Sequence, residues 1–413
     1  MDLPHLYRRQ FLWASLATMS SAMMSAWPGD AAAKTEKDNE REASRQTDDV
    51  TLFLAGDVMV GRGIDQVLPH PSDPKLYEPY VASAVDYVEF AERTNGPIPR
   101  PVDFTYVWGD GLPELDRRRP DIRVVNLETA VTNAQEPAPK GINYKINPAN
   151  AGVLTVARLD CCALANNHAL DWGAPGLLET LETLKKVGIK EVGAGRDALA
   201  AATPAIVPVR GGRRVVIFGF GSVTSGIPRL WQAGDRQPGI NLLPDLSPST
   251  ADAIAQQVQK VKVPGDIVVT SIHWGANWGY DISDEQIAFA HALIDAGVDV
   301  VFGHSSHHPK AIEVYRGKLV LYGCGDLLND YEGIGGYESY RSDLALMYFP
   351  AVEAGSGTLA ELVMAPFQLR KFRLNRVSGP DAAWLSATLN KEGEKFGTRV
   401  LLNADNTLAL QWG

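Results

Sequence analysis

Leu52-Phe53-Leu54-Ala55-Gly56-Asp57 is a short apolar run that ends on a carboxylate, and it sets the reading of the whole chain. The same form recurs four times. Val124-Val125 leads to Asn126-Leu127-Glu128, and Cys161-Cys162-Ala163-Leu164-Ala165 leads to Asn166-Asn167-His168. Val268-Val269-Thr270-Ser271-Ile272 leads to His273, and Val300-Val301-Phe302-Gly303 leads to His304, with His307 and His308 close behind. Such Val/Ile/Leu-rich runs mark strands buried on both faces. Predicted strands are 50–55, 122–125, 160–164, 215–220, 267–272 and 298–302. Between them lie helical patterns at 84–93, 175–187, 250–261 and 284–296. In the last, Ile287, Ala290, His291 and Ile294 share a face, and Gly297 follows as a helix stop. This alternation predicts an α/β fold of layered sheets.

Outward from these runs, the chain has other textures. Residues 63–110 are rich in Pro and aromatics and read as a long insertion over one sheet edge, a place where lids are found. After Pro350 the pattern turns β-rich: strands at 359–364 and 367–374, a helix at 381–391, and a hairpin of 399–402 with 407–411. Gly193-Ala194-Gly195 reads as a tight turn.

The N-terminus carries Arg8-Arg9 before a Ser- and Ala-rich apolar stretch, then Ala31-Ala32-Ala33. This has the form of a twin-arginine export signal over residues 1–33, which implies a periplasmic or cell-envelope destination. Residues 34–49 are polar and charge-mixed and read as a flexible linker. Residues 50–350 form the main domain, and 351–413 an extension packed on it.

The 413 residues are 45% hydrophobic and carry 39 Lys+Arg against 49 Asp+Glu, a formal charge of −10. A basic footprint for nucleic acid is missing. A polyanionic ligand needs a local basic patch or a bound metal, because the average surface repels it. Arg62, Lys140 and Lys145 are the candidate cations, with a solvated surface role as the plain alternative. Three Cys make no disulfide framework, and Cys161-Cys162 reads as buried thiols.

Five of the eight His stand at the strand ends. Ligands of open α/β sheets bind outside the carboxyl ends of parallel strands, so these groups converge if the strands are parallel. Carboxylate, amide oxygen and imidazole together suit Zn, Mn or Fe. Each residue also has a plain alternative. Asp57 caps a turn, Asn126 and Asn167 satisfy loop backbone, His168 is a structural histidine bonded to Asp171, and His273 packs beside Trp274. Trp274, Trp278 and Tyr280 form a platform or belong to the core. Asp326 reads as a group that orients a histidine.

At these residues the sequence resembles the CapA family, named for poly-γ-glutamate capsule synthesis and similar in fold to calcineurin-like metallophosphoesterases. The resemblance rests on Gly56-Asp57-Val58-Met59 with Gly61-Arg62, Asn126-Leu127-Glu128, Ala165 to Gly173, His273-Trp274-Gly275 and Gly303-His304 with His307. It runs from about residue 50 to about residue 349. It implies a β-sandwich flanked by helices. It also implies Asp57, Glu128, Asn167, His273, His304 and His307 as ligands of one or two divalent ions, Zn, Mn or Fe. His168, oriented by Asp171, matches the general acid. Arg62, Lys145 and Trp274 are the expected substrate contacts. Met59 stands where phosphoesterases place a histidine, Glu128 where they place an aspartate, and Asn277 where many CapA-like chains carry a glutamate.

The expected activity is metal-dependent hydrolysis in the synthesis, export or trimming of poly-γ-glutamate or a related anionic envelope polymer. Membrane-bound synthase subunits are the implied partners. The alternatives are a non-catalytic polymer-binding or scaffold subunit and a general periplasmic phosphodiesterase.

Overall fold

A computed structural model describes residues 49–413; the export signal and almost all of the linker lie outside the described residues. β1 (Asp49–Val58), β2 (Ile122–Leu127), β3 (Cys161–Ala163) and β4 (Lys190–Val192) run parallel and side by side. Their residues alternate between two cores. Phe53, Ala55, Val125 and Cys162 face an outer layer, while Leu52, Leu54, Val124 and Cys161 face inward. Burial on both faces is why these strands read as continuous apolar runs.

A second parallel set faces them. β5 (Ala205–Pro208) pairs antiparallel with β6 (Arg214–Gly221), and β7 (Ile267–His273) and β8 (Val300–His304) follow in parallel. β9 (Ile312–Tyr315) and β10 (Lys318–Leu321) complete this six-stranded sheet. Val215, Ile217, Ile267, Val269, Val300 and Phe302 pack against Leu52, Leu54 and Val124 between the sheets.

The first sheet grows to ten strands through the C-terminal region. β11 (Asp326–Leu328) lies parallel to β1, and β12 (Leu344–Glu353) antiparallel to it. β13 (Leu359–Leu369), β14 (Leu374–Arg376), β15 (Thr398–Leu402) and β16 (Leu408–Trp412) extend the same sheet. The strands expected at 359–364 and 367–374 are thus one strand and a short return. Pro366 sits inside β13, in the gap between β16, which pairs at Val363 and Met364, and β14, which pairs from Phe367. A missing N–H there costs no ladder bond on that side.

Helices cover both outer faces. α1 (Ala84–Asn95), α2 (Gly111–Arg118) and α3 (Gly173–Lys186) lie outside the first sheet. α4 (Pro248–Val261) and α5 (Asp284–Asp295) lie outside the second. α6 (Gly379–Gly393) closes one end of the sandwich, inserting Ala382, Leu385 and Leu389 into the inner core. The result is an α/β layered β-sandwich flanked by helices.

Two details correct the sequence reading. Residues 63–110 form a packed layer with a short helix at Gly63–Val67 and α1, and Val88, Ala91, Val107 and Trp108 enter the outer core. In α5 the buried stripe is Gln286, Phe289, Ala290, Leu293 and Ile294. Phe289 and Leu293 dominate the contact with the sheet, so Ile287 and His291 turn to its margin.

Candidate metal centre

Strand register brings the functional side chains together. Asp57 of β1 pairs with Asn126 of β2 on one side and Asp326 of β11 on the other. His273 of β7 pairs with His304 of β8 on the facing sheet. Gly56 makes the first of these ranks possible: a Cβ there would stand 1.9 Å from the carbonyl oxygen of Gly325. The loop after β3 brings Asn166, Asn167 and His168 to the same end. Asn166 donates to the Asn126 side chain (3.0 Å) and to the carbonyl of Leu127 (2.8 Å), while accepting from the His168 backbone N–H. It is a buried clamp between two strand ends.

The contacts are close. Asn126 donates to Asp57 at 2.7 Å. His273 Nε2 lies 2.9 Å from Asn167 Oδ1, and its Nδ1 lies 2.8 Å from His304 Nδ1. His304 Nδ1 is 4.0 Å from Asp57, and His273 Nε2 is 4.0 Å from Glu128. His307 Nδ1 is 2.8 Å from Asp326, which also accepts from Asn329. Ser305 donates its backbone N–H to Asp57 at 3.3 Å, and holds φ at 100°, a strained value for a residue with a side chain. That hydrogen bond ties the His304–His307 loop to the carboxylate.

Two groups of ligand atoms lie within 4.8 Å of one another: Asp57 with His273 and His304, and Asp57 with His307 and Asp326. They share Asp57. Glu128 stands beside the first group.

The electrostatics fit a cation. Burial and then the neighbouring Asp326 push the Asp57 carboxyl up to about 7. Burial and Asp57 push Glu128 well above the ordinary carboxylate range. Burial holds His304 down to about 3, and burial with His304 holds His273 well below the usual imidazole range. Burial also acts against a charge on His307, but Asp326 and Asp57 prevail and raise it. The imidazoles of His273 and His304, held neutral beside crowded buried carboxylates, form a donor set for a divalent ion, whose charge removes the repulsion.

His168 lies at the rim. Its Nδ1 is 2.6 Å from Asp171, and its Nε2 is 3.7 Å from Glu128. Lys140 donates to Asp171 (2.8 Å) and to the Asn167 carbonyl. Burial holds His168 down to about 4, although Asp171 acts in the opposite direction.

The three expected substrate contacts are already engaged within the protein, Arg62 at the wall of a cavity beside the centre. Arg62 is buried and bonded to Asp330 and Glu78, with its guanidinium stacked on Tyr87. Lys145 lies over the Trp172 ring and donates to the Ala134 carbonyl. Trp274 is buried, stacks on Tyr322 and donates to its carbonyl, a core role. Met59 is buried with its sulfur 3.5 Å from the Tyr331 hydroxyl. Sequence reasoning gave Asp326 only an orienting role. Its position at the start of β11, parallel to β1, was the missing information.

Comparison with known proteins places this geometry in a family. The family model of the bacterial capsule synthesis protein PGA_cap matches residues 51–331. A probable polyglutamine synthesis accessory protein of Mycobacterium tuberculosis is 48% identical over 363 residues, 87% of this chain and 96% of that one. The PGA biosynthesis protein CapA of Bacillus subtilis is 28% identical, over 75% of this chain and 70% of that one. Among solved structures, a 5'-nucleotidase precursor from Thermus thermophilus aligns with a TM-score of 0.43 at 15% identity, covering 78% of this chain and 54% of that one. The match across most of the chain, with the near-full-length mycobacterial relative, makes this protein a member of the bacterial PGA_cap capsule synthesis family.

Proposed function

We propose that the protein is an exported accessory of polyglutamate capsule synthesis that acts by metal-dependent hydrolysis. The single observation that carries this reading is the pair of ligand groups sharing Asp57, with His168 at their rim. Asp57, His273 and His304, supported by Glu128 and Asn167, would hold one divalent ion; Asp57, His307 and Asp326 would hold a second. A bound Zn, Mn or Fe ion supplies Lewis-acid chemistry and a water of lowered pKa, near about 7 in known cases.

The chain's own residues do the rest. Asp171 fixes the His168 ring through Nδ1, so Nε2 faces the centre; held neutral, it accepts a proton from the attacking water and, as imidazolium, hands it on to the leaving group. Lys140 holds Asp171 and the Asn167 carbonyl in place. The two sheets wall the site from water on the inner side. The proposed partner is an anionic chain of γ-linked glutamate, as the CapA resemblance implies, with membrane-bound synthase subunits beside it; the mycobacterial relative is named for polyglutamine and the Bacillus subtilis one for PGA. The Arg8-Arg9 motif supports export to the periplasm or envelope. No helix among the described residues is long and apolar enough to cross a membrane.

Met59 favours a second reading. It denies the centre an imidazole, as a scaffold subunit that kept the fold without the chemistry would. The two readings separate in His168→Ala. Hydrolysis of γ-linked glutamate oligomers or phosphodiesters should fall by about 10²–10⁴-fold, the usual contribution of general acid–base catalysis. Metal content should stay the same. Unchanged turnover would remove His168 from the mechanism, and no turnover by the unaltered protein on either substrate would favour the scaffold.

A further inference from the structure

Beside the centre lies a cavity of about 240 Å³ that the proposed reaction has not used. Trp278, Tyr337, Tyr331, Tyr144, Tyr87 and His307 form much of its wall. It abuts the centre directly. The Tyr144 ring lies 4.2 Å from His168, and Trp278 and Tyr331 lie 5.3 and 5.5 Å from the His307 ring. Trp278 and Tyr337 are stacked 4.0 Å apart and nearly parallel, which gives one wall a flat, stiff plate.

Charge decides what fits. Arg62 and His307 are the basic side chains in the lining, and both are already matched, His307 by Asp326 at 2.8 Å. The Arg62 guanidinium bonds Glu78 and Asp330, and it lies over the faces of Tyr87 and Tyr144 at 3.8 and 4.6 Å. One positive charge therefore faces two buried carboxylates. A ligand carboxylate finds no free counter-ion there, and a ligand cation meets a guanidinium already occupying the ring faces. What remains favourable is an uncharged group that covers aromatic faces and hydrogen-bonds at its edge. Tyr144 and Tyr331 share one hydroxyl contact at 3.0 Å, which leaves lone pairs at the cavity wall. The volume lies below the roughly 300–1,000 Å³ of sites for drug-sized ligands, so it suits one ring rather than a chain.

We propose that this cavity is a subsite for an uncharged polar ring, a pyranose or a heteroaromatic base, carried on one side of the bond that reacts at the centre. The inference rests on the hydrolase reading for the position of the ring, and makes the substrate a conjugate rather than a bare run of glutamates. Ring binding itself needs no turnover, so the two readings fail separately.

The test is calorimetric titration of the full-length protein, with and without added Zn, using N-acetylglucosamine, adenosine and a γ-linked glutamate tetramer. One of the two rings should bind, and which one identifies the source. Trp278→Ala should weaken that binding by at least about tenfold, the order of one lost stacking contact. Trp278→Phe should restore most of it, and both variants should keep the metal content of the parent. Binding of neither ring, binding of the glutamate tetramer that Trp278→Ala abolishes, or ring binding indifferent to Trp278→Ala would each overturn the subsite. Ring binding without hydrolysis of any conjugate would leave the subsite standing and remove the hydrolase.

Discussion

Asp57 is the residue on which both ligand groups depend, and Asp326 belongs to only one of them. The two should therefore behave differently. Asp326→Asn should remove the ion shared with His307 and spare the other, while Asp57→Asn should empty both. Elemental analysis of the purified variants checks this, and equal losses would contradict it. At the opposite end of the molecule, Glu114 stabilises the fold as a carboxylate. Burial works against its charge, but hydrogen bonds from Arg117 and Arg118 prevail and hold it below the ordinary glutamate range. A carboxyl depressed in the folded state contributes fully above its unfolded value near 4.5 and loses that contribution as pH falls through the lower folded value. Glu114→Gln should cost about 2 kcal/mol at pH 7. The gap to the unaltered protein should narrow below about pH 4, as urea unfolding across pH would show. Single residues were the most legible part of the sequence. Asp57, His273 and His304 stood at strand ends with ligand chemistry, and the joint pattern outweighed the plain alternative each had alone. For Arg62 and Lys145 the sequence carries no record of the buried partners that hold them, here Asp330 with Glu78 and the Trp172 ring.

At the scale of elements, close approach between strands places the site. Gly56 lets β1 lie against the Gly325 carbonyl, and Gly303 lets β8 lie against the carbonyls of Leu321 and Tyr322 at 2.5 and 2.6 Å from where a Cβ would be. Gly56→Ala forces backbone apart with no flexible side chain to yield. It should destabilise by about 3 kcal/mol or more, read as a lower melting temperature. It should also weaken metal retention, because Asp57 and Asp326 would separate. A variant as stable as the parent would contradict the role given to this glycine. The strands themselves were legible because burial on both faces leaves an apolar run. β13 was not, since a proline inside a strand reads as a break, and only the partner strands show that Pro366 falls where no ladder bond is needed. Residues 63–110 were read as a lid because Pro and aromatics suggest loops. In the structure Tyr87 and Trp108 are core, while Tyr77 and Tyr80 stay exposed: Trp108 is fully buried and donates to the Val153 carbonyl.

The whole molecule makes the site by facing one parallel sheet edge with another. Neither sheet alone holds a complete donor set: carboxylates and amides come from the first, and His273 and His304 from the second. Sequence could rank the strand ends, but it holds no direct signal for which sheet each strand joins. The runs thus gave the convergence only on condition that the strands are parallel, and the resemblance supplied the two facing sheets. A metal that ties the two sheets should stabilise the fold by linkage. At a free concentration of 100 times Kd the gain is about 2.7 kcal/mol, and a chelator should remove it. A melting temperature unmoved by chelation would contradict that link. The most direct measurement is the divalent metal content of the purified, folded full-length chain beside a His273→Ala/His304→Ala double variant. Bound Zn, Mn or Fe that falls by at least one equivalent in the variant is the expected result. A folded protein that takes up no divalent metal after reconstitution, or a double variant that holds as much as the parent, would contradict the metal centre and leave the scaffold reading in its place.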